Sequence, residues 1–426
     1  MAEIQAPRGM RDILPGEVER WQALEARIHA LAARYGFREI RTPVVEHTEV
    51  FQRTVGEATD IVEKEMYTFA DRSGRSLSLR PEGTAGVVRA FLEHGLRQWP
   101  QPVKLYYLAS MFRYDRPQKG RYRQHTQFGA EIIGSADPAA DAEVLSLPVR
   151  LLQALGLAHV EVRLNSVGDA ACRPRYLEAL RAYVRPLLDE LCADCRRRFE
   201  RQPLRILECK QEGCRRVAAG APAIVDVLCA PCAEHFAGVR AHLETLEIPY
   251  VLDRFIVRGM DYYTRTAFEV YSGRLGAQNA VFGGGRYDGL AEQLGGPPTP
   301  GVGFGLGLDR LLLVLEQEEL AAAVGSGVQV MVVTVGDAAR PAGLRLADEL
   351  RAAGLHVEVD LLGRDVRAQM RHAHRVGAQV AAVLGDAELS AGVVTVRAMA
   401  TGRQETVARD ALVATLRARL GEEARR

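Results

Sequence analysis

Between Phe112 and Gly134 the sequence FRYDRPQKGRYRQHTQFGAEIIG gathers cations, an amide and a carboxylate into one short span. Arg113 closes an apolar run that begins Val103-Lys-Leu-Tyr-Tyr-Leu108, four further cations follow in a polar stretch, and a second apolar run returns. This order predicts a β-hairpin with a basic tip. Gln127 and Glu131 are two strand repeats apart, so on a pleated strand both face the same way. A sheet face offering cations, an amide and a carboxylate suits a zwitterion held beside a polyphosphate. An exposed hairpin with a solvated tip has the same composition, so other segments must decide between the two.

Four of them carry chemistry-bearing types. Leu77-Ser-Leu-Arg-Pro-Glu-Gly-Thr84 ends a strand and opens a helix marked by Val87, Val88, Phe91 and Leu92. Glu82 and Thr84 therefore fall at a strand-to-helix junction, where they either point into a cleft or cap the helix. Phe255-Ile-Val-Arg-Gly-Met-Asp-Tyr-Tyr-Thr264 leads into the run Ala267–Tyr271, and Val281-Phe-Gly-Gly-Gly-Arg-Tyr-Asp-Gly289 follows. In Gly301-Val-Gly-Phe-Gly-Leu-Gly-Leu-Asp-Arg310 glycine occupies every second position before an Arg at a helix start. Such a strand leaves one sheet face bare, so that a flat ligand can lie against the backbone. Neither a G-x-G-x-x-G fingerprint nor a Gly-Lys pair for a Walker loop occurs in the sequence. Nucleotide binding must use another device.

The elements that would position these residues need more than one domain. At 426 residues, two or three are expected. An apolar fraction of 47% and a charged fraction of 26% describe a globular chain with a sizeable core. Lys plus Arg at 55 against Asp plus Glu at 54 leaves almost no net charge, so any nucleic-acid contact must come from local clusters. Most cations are Arg, which favours bidentate phosphate contacts, although a GC-rich genome produces the same bias. No apolar run approaches the ~20 residues that span a bilayer, and the first residues lack a signal-peptide pattern. The expectation is a cytoplasmic protein without a membrane partner.

Along the chain, Glu17–Tyr35 has helical spacing in Trp21, Leu24, Ile28 and Leu31, with Gly36 as a stop. Arg41-Thr-Pro-Val-Val45 reads as an extended edge, Ala139–Leu157 as a helix and Val160–Leu164 as a strand. From about residue 172 to 251 the texture becomes Leu-, Arg- and Cys-rich and predicts a mostly helical insertion. It carries Cys192, Cys195, Cys209, Cys214, Cys229 and Cys232 among the seven cysteines of the chain. An odd count argues against a pure disulfide framework, whereas paired Cys-x-x-Cys units suit a tetrahedral structural Zn²⁺. Cys192, Cys195, Cys229 and Cys232 are the expected ligands, although spacing alone does not decide which four thiols bind. Glu316–Gly327 reads as a linker. Beyond it, strands Val328–Val335, Leu355–Val359 and Ala378–Leu384 alternate with helices, which predicts a small α/β domain with a mostly parallel sheet. Arg364, Arg367, Arg371 and Arg375 share one helical face there, either solvated or facing RNA.

At these residues the sequence resembles the histidyl-tRNA synthetase family across essentially its whole length. Arg80-Pro-Glu-Gly-Thr84, Phe112-Arg113 with Gly120-Arg-Tyr-Arg-Gln124, and Gly303-Phe-Gly-Leu-Gly-Leu-Asp-Arg310 resemble the class II synthetase signatures. Val257-Arg-Gly-Met-Asp-Tyr-Tyr263 and Gly284-Gly-Arg-Tyr-Asp-Gly289 resemble peptides specific to the histidine enzyme. The resemblance implies an α+β catalytic domain over residues 1–320, with an antiparallel sheet flanked by helices and the helical insertion, and an α/β anticodon-binding domain over 328–426. It also implies a homodimer that joins L-histidine to tRNA(His) using ATP and Mg²⁺.

By the same resemblance Glu82, Gly83, Thr84 and Gln127 would hold the histidine α-ammonium, and Glu131 and Tyr263, with Tyr262 and Tyr287 nearby, would pair the imidazole nitrogens. Arg113 and Arg258 would flank the α-phosphate, Arg121 the γ-phosphate, and Arg310 would stack on adenine. Arg116, Gln118 and Arg123 would meet the tRNA acceptor end. His125 stands where the family commonly has a Phe beside adenine, so modestly changed ATP affinity with intact chemistry is expected. The cysteine-rich insertion varies across the family, and the resemblance does not establish a metal there. Two other readings compete. One is the synthetase-like regulatory subunit of ATP phosphoribosyltransferase, which would lose parts of the Arg and Gln set and the last domain. The other is a sensing module that binds histidine without consuming ATP.

Overall fold

A computed structural model describes residues 4–56, 59–157, 160–257, 260–272, 280–320 and 327–423. They form two compact units, Met1–Ala322 and Ala323–Arg426.

The first unit begins with helix α1 (Val18–Arg34), whose Trp21, Leu24 and Ile28 are buried. Short strands β1 (Arg38–Glu39) and β2 (Val45–His47), helix α2 (Thr48–Val55) and strands β3 (Thr68–Ala70) and β4 (Ser76–Leu79) lead to helix α3 (Thr84–Glu93). The predicted hairpin follows as β5 (Val103–Phe112) and β6 (Gln124–Ile133), in register from Val103↔Ile133 to Phe112↔Gln124. Helix α4 (Pro138–Ala154) starts at Asp137, whose side chain accepts the Ala139 N–H at 2.8 Å, and strand β7 (Val160–Ser166) follows. The cysteine-rich region supplies α5 (Arg173–Val184), α6 (Ala193–Arg201), α7 (Glu212–Ala219) and α8 (Ala230–Thr245). The chain then returns through β8 (Tyr250–Leu252), β9 (Thr264–Ser272), β10 (Ala280–Arg286), helix α9 (Leu290–Gln293), β11 (Gly301–Gly307) and helix α10 (Leu308–Gln317).

Eight strands make one sheet, ordered β1-β5-β6-β11-β10-β9-β7-β8. Its six central strands pair antiparallel, and β1 and β8 join the two edges parallel. Strand parity sorts its faces. Tyr106, Phe128, Ala130, Ile132, Val302, Phe304 and Leu306 point into a core shared with α1, α4, α8 and α10. The opposite face presents Leu105, Tyr107 and Met111 to Val87, Val88 and Phe91 of α3. At roughly 25 cal/mol per Å² of apolar surface buried, the first core fixes the register. A one-residue slip in β6 would exchange Phe128, Ala130 and Ile132 for Gln127, Gly129 and Glu131.

The insertion has its own core, built from Tyr176, Leu180, Val184, Cys195, Phe199, Ile206 and Cys214. Helix α8 behaves differently: its Phe236, Val239 and Leu243 belong to the main core, so the helical region predicted as one insertion divides into a separate module and a helix of the body.

The second unit holds β12 (Val330–Thr334), α11 (Arg340–Ala352), β13 (Val357–Val359), α12 (Val366–Arg375), β14 (Val380–Leu384), α13 (Asp386–Ala391), β15 (Val393–Ala398), β16 (Gln404–Ala408) and α14 (Leu412–Glu423). The sheet order is β13-β12-β14-β15-β16. The β13–β12 and β12–β14 pairs are parallel, while β14–β15 and β15–β16 are antiparallel, so the sheet is mixed and not mostly parallel. The reason lies in the connections. After β14 only the short α13 intervenes, too little for a crossover, so the chain turns back on itself.

Candidate active site

The face of the first sheet turned toward α3 carries a buried polar floor. Glu131, on β6, has no exposed surface, and three hydroxyls donate to its carboxyl group. Thr84 Oγ1 reaches Oε1 at 2.8 Å, Tyr107 OH reaches Oε1 at 3.4 Å, and Tyr287 OH reaches Oε2 at 2.6 Å. Burial disfavours the charged form more than these donors favour it, with Glu82 adding repulsion, and the pKa of Glu131 is pushed up to about 8. Tyr262, Tyr263 and Tyr287 pack against one another above this carboxyl, with Tyr262 to Tyr263 centroids 4.7 Å apart and Tyr262 to Tyr287 5.9 Å.

Glycines make room for that floor. Cross-strand pairing sets Gly303 opposite Glu131 and Gly307 opposite Gln127. A Cβ on Gly303 would lie 1.7 Å from Glu131 Oε2, and one on Gly305 would lie 1.9 Å from Gln127 Nε2. The alternating-glycine strand was expected to stay bare for a flat ligand. The chain covers Gly303 and Gly305 with its own Glu131 and Gln127 and Gly301 with Tyr287, while Gly307, three residues before Arg310, has open space on this face. Tyr107 fits likewise against Gly129 and Gly83, where a Cβ would lie 2.2 and 2.3 Å from its ring. Tyr107 is absent from the sequence-derived site. Its signal was the pairing of a large residue with Gly129, visible only once the hairpin register is known.

Glu82 does what a capping residue does. Its Oε2 accepts the Thr84 N–H at 2.7 Å and its Oε1 accepts the Ala85 N–H at 2.8 Å, anchoring the α3 N-terminus where a carboxylate is favoured. Its carboxyl is nonetheless raised by burial, and Arg113 pulls it back down. The two readings of Glu82 coexist, because the capped carboxylate sits in the floor beside Thr84 and Arg113. Gly83 lies between them, against the Tyr107 ring.

A cationic wall adjoins the floor. Arg113 Nε donates to the Pro81 carbonyl at 2.8 Å. Burial lowers the His125 pKa to about 3, and the guanidiniums of Arg113, Arg310 and Arg121 push the same way, so the imidazole is neutral. Arg310, in the first turn of α10, donates from Nη1 to the Ala280 carbonyl at 2.7 Å. Arg121 is held by Asp115. The structure thus brings together Arg113, Arg121, His125 and Arg310, the residues expected at the nucleotide. Arg258 lies outside the described residues.

The hairpin tip is less uniform than its composition suggests. Arg116 and Gln118 are exposed on the loop. Arg123, expected among the tRNA contacts, is committed elsewhere. Its Nε donates to the Asp115 carbonyl at 3.1 Å, Nη1 donates to the Arg8 carbonyl at 3.3 Å, and its guanidinium lies 3.6 Å from the Tyr114 ring centroid. It braces the N-terminal segment against the loop.

Two residues of the histidine-type peptides also have supporting partners. Arg286 is wholly buried and bonded to Asp141, with the Ser135 carbonyl at 2.8 Å and Asp288 at 3.0 Å as further partners. His235 approaches the same Asp141 at 3.3 Å. The Tyr263 carbonyl accepts from Arg173 at the start of α5.

The cysteines do not gather as the two Cys-x-x-Cys pairs suggested. Cys192 and Cys195 meet Cys209 and Cys214, whereas Cys229 and Cys232 meet Cys172 and Asp169. The set Cys192, Cys195, Cys229 and Cys232 is therefore corrected to two separate clusters. Each pair opens a different helix, α6 or α8, and those helices belong to different cores.

An antiparallel sheet with a buried polar floor and an arginine wall, in a chain with a separate α/β unit, defines the catalytic architecture of a class II aminoacyl-tRNA synthetase. The family model for histidyl-tRNA synthetase matches residues 9–311, and that for the anticodon binding domain matches 329–419. The chain is 51% identical to a histidine–tRNA ligase of Pelotomaculum thermopropionicum over 97% of each chain. It is 53% identical to the Moorella thermoacetica histidine–tRNA ligase over 96% of each. Its fold matches the crystal structure of apo Staphylococcus aureus histidyl-tRNA synthetase with a TM-score of 0.82 at 41% identity, covering 97% of this chain and 100% of that one. The chain belongs to the histidyl-tRNA synthetase family.

Proposed function

We propose that this chain attaches L-histidine to tRNA(His) through a histidyl-adenylate, releasing pyrophosphate and then AMP. The observation that carries this reading is the juxtaposition of two opposite environments. A buried carboxyl ringed by hydroxyls lies beside a wall of guanidiniums, which fits an imidazole at one end and a polyphosphate at the other.

In the first step the histidine carboxylate is already an ionised nucleophile and needs no general base. It attacks the α-phosphorus of ATP in line, and the bond to the bridging oxygen breaks as pyrophosphate leaves. The protein positions the reactants and neutralises charge. Arg113 and Arg258 flank the α-phosphate, Arg121 takes the γ-phosphate, and Arg310 and His125 line the adenine. Neutral His125 can stack without adding charge. Mg²⁺ bound to the nucleotide would supply further neutralisation of the pyrophosphate charge. The wall itself is cationic, which fits phosphate oxygens and not a metal ion, so no protein ligand is assigned to it. In the second step a terminal hydroxyl of tRNA attacks the adenylate carbonyl, an ester forms and AMP leaves. Arg116 and Gln118 on the hairpin tip face this end, and the exposed Arg367, Arg371 and Arg375 of α12 offer charge to RNA in the second unit. Arg364 contributes less, since its Nε is bonded to Asp360 at 2.5 Å.

Selection of histidine follows from the floor. Gln127, Glu82 and Thr84 hold the α-ammonium, while Glu131 and Tyr263, with Tyr262 and Tyr287, pair the ring nitrogens. A competitor leaves these buried groups unmatched, a penalty that reaches roughly 10⁴-fold without a separate editing step. A homodimer and a cytoplasmic location complete the proposal. No single helix among the described residues is long and apolar enough to cross a membrane.

A match across nearly the whole chain, anticodon-binding unit included, favours the ligase over the regulatory-subunit reading. Histidine-dependent exchange of labelled pyrophosphate into ATP tests it, with other amino acids as controls. Exchange with histidine alone is expected. Histidine binding without exchange would leave only a sensor, and no histidine binding at all would overturn the assignment of the floor.

A further inference from the structure

From just before α5 to the first turn of α8 the chain forms two separate clusters, one of four thiols and one of three thiols with Asp169, the second flanking the first in chain order. In the first, Cys192 is the N-cap of α6, Cys195 lies in its first turn, Cys209 follows a short 3₁₀ turn (Pro203–Ile206), and Cys214 lies in α7. Their four sulfurs all lie within 4.8 Å of one another, and Cys192 Sγ to Cys209 Sγ is 3.9 Å. A Zn²⁺ with bonds of about 2.3 Å to four sulfurs sets tetrahedral edges of about 3.8 Å. A disulfide needs about 2.05 Å, and all seven cysteines are free. Two backbone amides point at sulfurs of the set: the Cys195 N–H at Cys192 Sγ (3.4 Å) and the Cys192 N–H at Cys214 Sγ (3.2 Å). Such donors stabilise thiolates, which are the form a metal takes.

The second cluster repeats the device with other elements. Cys229 is the N-cap of α8 and Cys232 lies in its first turn, while Cys172 is the N-cap of α5 and Asp169 lies just before it. One ligand atom from each of these four lies within 4.8 Å of the others. Asp169 Oδ1 is 3.6 Å from Cys172 Sγ and 3.8 Å from Cys229 Sγ, and the Asp169 N–H points at Cys172 Sγ at 3.4 Å. Gly168 admits that sulfur, since at φ 63° it is left-handed and a Cβ there would lie 2.7 Å from Cys172 Sγ.

We propose that the chain holds two structural Zn²⁺ ions, one on Cys192, Cys195, Cys209 and Cys214 and one on Asp169, Cys172, Cys229 and Cys232. Binding displaces the thiol protons to solvent and fills all four positions of each ion with protein, leaving none for a water. The first ion ties α6, the 3₁₀ turn and α7 within a module whose apolar core is small. The second ties the start of α5 to the start of α8, where the module leaves the body. That joint adjoins the histidine pocket, because Arg173, next to Cys172, donates to the Tyr263 carbonyl. The proposal rests on ligand geometry and stands whether or not the catalytic reading does.

The test is metal content of the full-length chain, produced with added zinc and washed with a weak chelator. Two Zn²⁺ per chain are expected. Cys209→Ser and Cys229→Ser should each lower this to one, and the double variant to none. Refolding the metal-free chain with Co²⁺ supplies a readout independent of whether a variant folds. The thiolate-to-cobalt charge-transfer band should saturate at two equivalents. One ion per chain in the unaltered protein, loss of both ions in either single variant, or disulfides among these cysteines in the chain as purified would each overturn the proposal.

Discussion

Glu131→Gln separates the stability of the pocket floor from its use. In the folded chain the Glu131 carboxyl is pushed from 4.5 up to about 8, because burial outweighs its three hydroxyl donors. Between those pH values the folded state keeps a proton that the unfolded chain has released. Stability therefore falls as pH rises through this window, at about 1.4 kcal/mol per pH unit. From pH 5 to pH 8 the loss attributable to this one group is about 4 kcal/mol. Gln has the same shape and carries no titrating proton; its carbonyl accepts on one side, and the hydroxyl on the other side turns to accept from its NH2. The expected result is a variant whose unfolding free energy gains on the parent steadily from pH 5 to pH 8 and no further above it. Urea unfolding followed by tryptophan fluorescence suits the measurement, since Trp21 and Trp99 are the only tryptophans and both lie in the first unit. The same variant loses the carboxyl's hydrogen bond to the imidazole, which is worth roughly 0.5–1.5 kcal/mol net, so histidine-dependent exchange should fall about 2- to 12-fold. A stability difference that stays flat with pH would refute the burial argument, and undiminished exchange would refute the role.

Three further substitutions probe the surroundings. Gly305→Ala places a Cβ 1.9 Å from Gln127 Nε2, a flexible side-chain end; the chain should fold normally while the KM for histidine rises roughly tenfold or more, read by exchange kinetics. Asp141→Ala leaves the buried Arg286 with Asp288 as its one remaining carboxylate partner and should cost about 3 kcal/mol in urea unfolding. His125→Phe should keep the KM for ATP within about threefold, because the imidazole it replaces is already neutral and apolar in effect. The folded-state pKa of His125 is depressed from 6.5 to about 3, so the parent loses stability as pH falls through that window. The Phe variant should lose less below pH 6, and equal acid sensitivity of the two would count against a buried neutral histidine.

What the sequence disclosed and what it withheld divide along a physical line. Periodicity and register fix which face a residue occupies, and for that reason the hairpin, the shared face of Gln127 and Glu131 and the strand-to-helix placement of Thr84 were legible before any coordinates. Periodicity does not say what fills the space opposite. The glycines of β11 looked like an opening for a ligand along the whole strand, yet at Gly303 and Gly305 the room is taken by Glu131 and Gln127 from the neighbouring strand, and only Gly307 stays open. The same ignorance of partners hid Tyr107, whose ring needs both Gly83 and Gly129, residues far apart in the chain. It also made Arg123 look like one more tip cation when Tyr114 and two carbonyls already hold it.

The cysteines are the sharpest instance. Two Cys-x-x-Cys units invite pairing with each other, because they are the most similar things in the region. Each unit, however, is only the opening turn of a helix, and a helix start supplies two ligands without specifying the other two. Those come from wherever the fold brings a matching element: a 3₁₀ turn and α7 in one case, the α5 N-terminus and Asp169 in the other. Likeness in sequence reports how a ligand pair is presented, and tertiary packing chooses its partners. Since α6 packs in the module core and α8 in the body core, the two units could share an ion only by dismantling one of those cores.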